Sequence, residues 1–200
     1  MAFIDLPVGC VADYKGQLVP RAARSRSAFG TGGSNISRLG RHWQFEVRLH
    51  KMLQDDAIKW DSRLSNDTGD GHRWTIPQGN LISGPEGAPL VAGANQQGTT
   101  LNIDGAAPGL VIPEGAFVST ITNGRRYVQR MAAQVTVSGG GTAALTFTAP
   151  MRVIPGDNNV VEIKSPKVEG LIEDFDGLSV SVTLARYITD GATFIIRERG

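Results

Sequence analysis

The chain predicts a mainly β fold, of α+β type, with a single flanking helix, and three observations carry that reading. Its second half is a succession of short apolar runs divided by glycine turns, Trp43 to Leu49 alternates apolar and polar residues, and only Leu53 to Leu64 shows helical spacing.

Composition narrows the function classes. Two hundred residues suffice for a buried core without staples. With 20 Lys+Arg against 19 Asp+Glu, the chain as a whole is not built to coat nucleic acid or an anionic membrane, so any electrostatic role is local. The single cysteine, Cys10, cannot form an internal disulfide and reads as a buried or incidental thiol. Met-Ala-Phe-Ile-Asp-Leu-Pro at the start has no basic segment followed by an apolar one, so no signal peptide is expected. No apolar run approaches the ~20 residues of a membrane-spanning helix, and no membrane insertion is expected.

In order along the chain, residues 1 to 18 hold apolar fragments broken by Pro7, Gly9 and Gly16, the mark of a short strand or two at a sheet edge. From Lys15 to Arg48, seven basic residues face the lone acid Glu46, a net charge of +6. The middle of this segment, Ser25 to Asn35, is rich in Ser and Gly without apolar period, and predicts a long flexible loop or a hairpin arm. Trp43 to Leu49 is a strand with one buried face. Leu53, Ala57, Trp60 and Leu64 then form the apolar stripe of a helix from about Met52 to Ser65. Turn residues Asn66 to Gly71 stop it, and His72 to Ile76 resumes an extended run.

Beyond the connector Gln78 to Pro89, strands are expected at Leu90–Ala92, Thr99–Ile103, Ala116–Ile121, Arg125–Val128, Ala133–Val137, Ala143–Phe147, Met151–Ile154 and Val160–Ile163. Strands this short, with turns at intervals of about 8 to 12 residues, indicate a small barrel or sandwich. Asp104-Gly105, Asn123-Gly124 and Gly139-Gly140-Gly141 have the chemistry of tight hairpin turns. The tail, Leu178–Leu184 and Thr193–Arg197, reads as a last hairpin around Thr189-Asp190-Gly191.

No catalytic or ligand-binding constellation stands out. Gly30-Thr31-Gly32-Gly33-Ser34 lacks the Lys-Ser/Thr ending of a phosphate loop. His42, His50 and His72 lack the spacing of a zinc helix, and Glu173, Asp174 and Asp176 do not follow the ligand order of a calcium loop. No cofactor and no metal are expected. Ser34 and Ser37 have no nucleophile-elbow frame. Trp43, Trp60 and Trp74 read as core rather than as a ligand platform.

The basic segment is the exception. Arg21, Arg24, Arg26, Arg38 and Arg41, interleaved with Phe29, could neutralise phosphates, or could clasp a neighbouring subunit through bidentate pairs from the arginines to its acids, and the clasp is the reading preferred here.

Leu6-Pro7, the run Gly40 to Val47, Asp56 to Trp60, and Gly87 to Leu101 with its Pro89-Leu90-Val91, Gly93-Ala94-Asn95-Gln96 and Thr100 form one ordered set of motifs. Pro113, Gly115 and Phe117, then Arg126-Tyr127-Val128, then Thr142, Ala144 and Leu145, then Pro150-Met151-Arg152 extend it over most of the chain. The set resembles the distal tail proteins of long-tailed bacteriophages (siphophages). The resemblance implies a tail-tube-like β-sandwich domain of residues 1–86 with 170–200, and an inserted small OB-like barrel of residues 87–169. It implies a structural virion protein of the tail tip, made in the host cytoplasm and not an enzyme. Such a protein is a homo-hexamer that joins the tail tube protein to the tail-tip hub or baseplate, with the tape-measure protein and DNA passing through its lumen. A tail tube or other minor ring protein, and a carbohydrate-binding module of the tail tip, are the alternatives. The loop from Val19 to Leu39 would lock the ring.

Overall fold

The structure is a computed structural model describing residues 3–20, 22–26, 33–37, 41–66, 71–175, 177–178, 180–183, 186–189 and 191–199, of which 22–26, 33–37, 180–183 and 186–189 are described by their backbone alone. In chain order come β1 (Ile4–Asp5), β2 (Val11–Val19), β3 (Ala22–Arg26), β4 (Gly33–Ser37), β5 (His42–Leu49), β6 (Met52–Leu53) and helix α1 (Gln54–Leu64). There follow β7 (His72–Thr75), β8 (Gly87–Val91), β9 (Thr100–Ala106), β10 (Val111–Ile112), β11 (Phe117–Thr122), β12 (Arg125–Arg130) and β13 (Val135–Thr136). The last are β14 (Ala143–Thr146), β15 (Val161–Glu162), β16 (Lys167–Glu173), β17 (Val180–Thr183), β18 (Arg186–Thr189) and β19 (Thr193–Glu198). Among the described residues the fold is mainly β with one short helix, as the patterning predicts.

The chain divides into two compact units, Met1–Val8 with Gly69–Glu169, and Gly9–Thr68 with Gly170–Gly200. In the first, β1 runs parallel to β7, and most of the rest is a closed barrel. Antiparallel pairing links β12 to β11, β11 to β15, β8 to β9 and β9 to β14. The bridge Leu90↔Val160 joins β15 to β8, and Met131↔Phe147 joins the end of β12 to the end of β14, completing the circuit. Its interior holds Val91, Leu101, Ile103, Val118, Leu145, Phe147, Val161 and Ile163, and the short pair β10–β13 adds Ile112 beside Leu110 and Val137.

The second unit is built on a sheet in the order β16, β19, β5, β2. Trp43, Phe45, Val47 and Leu49 lie buried on one face of β5, as the alternation requires. Trp60 of α1 packs on Phe194 of β19 with ring centroids 5.9 Å apart, which pins the helix to the sheet. Asp55 and Asp56 in the first helical turn and Arg63 in the last complement the helix dipole.

Four expectations need correction. Leu53 does not belong to the helical stripe: it precedes α1, in β6, and is exposed. Asp104-Gly105 is not a hairpin turn but an irregularity inside β9, where Gly105, at φ 67°, lets the Ala88 carbonyl pass close to its Cα. Met151–Ile154 is not a strand, because residues 148–154 form bends and irregular backbone between β14 and β15. The tail is not one hairpin: β17 pairs with β18, β18 with β6, and β19 inserts between β16 and β5. Asn123 and Gly124, at φ 52° and 74°, do turn β11 into β12.

Candidate functional site

Two features are built for more than core packing. The first is the sheet edge of the second unit. Strand β2 is nine residues long and pairs with β5 on one side; among the described residues it is the last strand of its sheet. Ala12, Asp13, Lys15 and Gln17 are exposed along it. An unpaired edge of this length offers a row of backbone donors and acceptors to another strand. Immediately beyond it, β3 and β4 pair antiparallel as a two-stranded arm, with Ala22 opposite Ser37 and Arg26 opposite Gly33.

Of the basic residues singled out in the sequence, Arg24 and Arg26 lie on β3 opposite Asn35 and Gly33. Arg41 is exposed just before β5. Arg21, Phe29 and Arg38 fall outside the described residues, as do the side chains of Arg24 and Arg26. The backbone of residues 22–26 and 33–37 is that of a hairpin arm, the second of the two forms expected for this segment.

The second feature is a charged network in the first unit that sequence reading missed. Arg126 of β12 donates from Nε and Nη2 to the Glu162 carboxylate at 3.0–3.1 Å, and from Nη1 to Glu169 Oε1 at 2.9 Å. Its backbone N–H donates to Glu169 Oε2 at 3.0 Å. Arg73 Nε donates to Glu169 Oε1 at 2.8 Å, and Arg73 Nη1 to Asp5 Oδ1 at 3.3 Å. Ser119 Oγ donates to Glu162 Oε2 at 2.6 Å and accepts the Lys167 backbone N–H at 3.1 Å, while Lys167 Nζ reaches Glu162 Oε1 at 3.3 Å. The Glu169 side chain is only 3% exposed, a depth at which a carboxylate persists only when paired.

The electrostatics of this cluster argue for architecture. Burial by itself would raise the Glu162 carboxyl, but the hydrogen bonds from Arg126 and Ser119 and the charges of Arg126 and Lys167 outweigh it and hold the group below the ordinary range. Burial likewise opposes the Arg126 charge, and the two carboxylates more than offset it, so its affinity for the proton rises. A general acid at neutral pH needs a carboxyl shifted upward, the opposite of Glu162. The Cys10 thiol is pushed up, chiefly by burial and then by Asp56, which disfavours the nucleophilic thiolate. Among the described residues, no group of three or more His, Cys, Asp and Glu side chains could hold a metal ion.

The three tryptophans are core: Trp43, Trp60 and Trp74 are all buried. Of the aromatic residues that could line a ligand groove on the barrel, Phe117 is buried with the Arg130 guanidinium 5.6 Å from its ring centre, and Tyr127 is half-buried beneath Arg152 at 5.3 Å. No helix among the described residues is long and apolar enough to cross a membrane. No protein-family model matches the chain, and no curated protein matches it.

Proposed function

We propose that this chain is a structural ring protein of the tail tip of a long-tailed bacteriophage, a distal tail protein. Six copies close around a lumen and join the tail tube to the hub. The observation that carries the proposal is β2, a nine-residue edge strand leading directly into a β-arm within the basic segment. Such an edge invites aggregation unless something covers it, and closing a ring covers every copy's edge with the next copy. In this reading the arm reaches across that contact, and Arg21, Arg24, Arg26 and Arg38 pair with acids of the neighbour. The motif resemblance from Leu6 to Arg152 supports the same assignment. In this reading the protein is not an enzyme, acts in the virion, and lets DNA and the tape-measure protein pass without sequence-specific contact.

Native mass spectrometry of the purified chain, followed by negative-stain imaging of any oligomer, tests the proposal. Hexameric rings are expected, alone or when tube or hub protein is added. A chain that stays monomeric with both partners present would overturn it, and glycan binding by that monomer would move the assignment to a host-surface module.

A further inference from the structure

Independently of the ring reading, we propose that the Arg126 cluster is a joint: within the first unit it fastens the closed barrel to β1, β7 and the head of β16, and it can open while the barrel keeps its fold. The barrel has its own core, drawn from Ile82 through Ile163, to which β1, β7 and β16 contribute no residue. A continuous chain of ion pairs crosses from the barrel to those three strands. Arg126 of β12 grips Glu169 of β16, Glu169 also holds Arg73 of β7, and Arg73 reaches Asp5 of β1. Beside it, Ser119 of β11 accepts the Lys167 backbone N–H, and Glu162 of β15 pairs with Lys167 Nζ.

The two kinds of contact open at different cost. Separating the cluster lets water return to both carboxylates and to the guanidinium groups, which recovers much of what burial took from them. Opening the barrel would instead expose its apolar interior with nothing to compensate. Val128, buried two residues from Arg126 on β12, and Trp74 of β7 and Val168 of β16, all buried outside the barrel core, are the apolar residues whose packing competes with this account.

Amide-resolved hydrogen exchange on the full chain tests the joint. The reporters are the amides of residue 126 and Lys167, which bond across it, against Met131 and Phe147, which bond within the barrel circuit to the carbonyls of Ala116 and Thr99. In Arg126→Gln, protection at residue 126 and Lys167 is expected to fall at least about tenfold, while Met131 and Phe147 change less than about twofold. Equal loss at all four sites would overturn the proposal by making the barrel part of the same cooperative unit. Unchanged protection at Lys167 would overturn it by assigning the attachment to packing around Val128. Should the variant fail to fold, the unmodified chain in sub-denaturing guanidinium decides. The joint amides are expected to exchange through a smaller opening, with a shallower denaturant dependence than the barrel amides, and a common slope would refute the joint.

Discussion

Gly170 on β16 sits opposite Glu198 of β19, and the two strands approach there more closely than any side chain allows. A Cβ on residue 170 would land on the Arg197 carbonyl oxygen, 2.6 Å from its carbon and 3.1 Å from the Glu198 nitrogen. Strand β19 cannot retreat, because its other edge is held in register with β5 from Thr193↔Arg48 to Arg197↔Gln44. In Gly170→Ala, then, β16 must give way by about 1 Å to restore an ordinary C···O contact of roughly 3.3 Å or more. Overpacking costs about 1–3 kcal/mol, and one or two strained ladder bonds add about 0.5–1.5 kcal/mol each. Alanine's smaller unfolded-state entropy returns about 0.4–1 kcal/mol, leaving a net loss near 3 kcal/mol. Gly139 is the matched control, since its Cβ would meet nothing within 4 Å and its φ is not in the left-handed region. Gly139→Ala is expected to be neutral or stabilising by up to about 1 kcal/mol. Urea unfolding followed by tryptophan fluorescence measures both. A Gly170→Ala loss below about 0.5 kcal/mol, or one indistinguishable from that of Gly139→Ala, would refute the close-approach argument.

Three further outcomes are expected. Because the folded Glu162 carboxyl lies below its ordinary 4.5, its contribution to stability is full above that value and lost as pH falls through the lower folded value. The stability gap between the unmodified chain and Glu162→Gln should therefore narrow between pH 7 and pH 3, and a gap constant across that range would refute the assignment. Gln78→Ala removes a side chain that donates to the carbonyls of Phe117 and Ile163 and accepts the Phe117 N–H. Denaturant titration should show a loss of about 1–3 kcal/mol, and a loss near zero would mean that water replaces all three bonds. Replacing Arg21, Arg24 and Arg26 together with Glu should abolish ring assembly in native mass spectrometry while leaving circular dichroism unchanged, and rings of undiminished yield would sink the clasp.

How far the sequence could be read depended on what each buried face was made of. Trp43 to Leu49 was legible because alternate residues enter an apolar core. Strand β16 was not, because its consecutive buried residues are Val168, Glu169 and Gly170. One is acidic and one has no side chain, so hydrophobic periodicity is silent there. Glu169 is buried only because Arg73 and Arg126 meet it from 96 and 43 positions away, partners that no local pattern connects. Asp104-Gly105 misled for a related reason: positive φ serves a strand irregularity as well as a tight turn. The basic segment was visible as charge, and its arm form as one of two options, but pairing between β3 and β4 depends on backbone register that Ser- and Gly-rich sequence does not specify.

The contrast between the units bears on where assembly can occur. Among the described residues the barrel circuit closes on itself through Leu90↔Val160 and Met131↔Phe147, so it leaves no strand edge to extend, and its Arg126 and Glu162 are paired with each other. Among the described residues the other unit's sheet stops at β2, with Asp13 and Lys15 as the only charges along that strand. Asp13 pairs with Arg48 at 3.7 Å with both side chains largely exposed, which contributes little to stability and leaves the strand accessible. Two opposite charges on one strand, rather than a row of lysines, are weak protection against a further strand. If the chain assembles through strand pairing, β2 is where the next copy adds, and a proline on that edge should block assembly without disturbing the closed barrel.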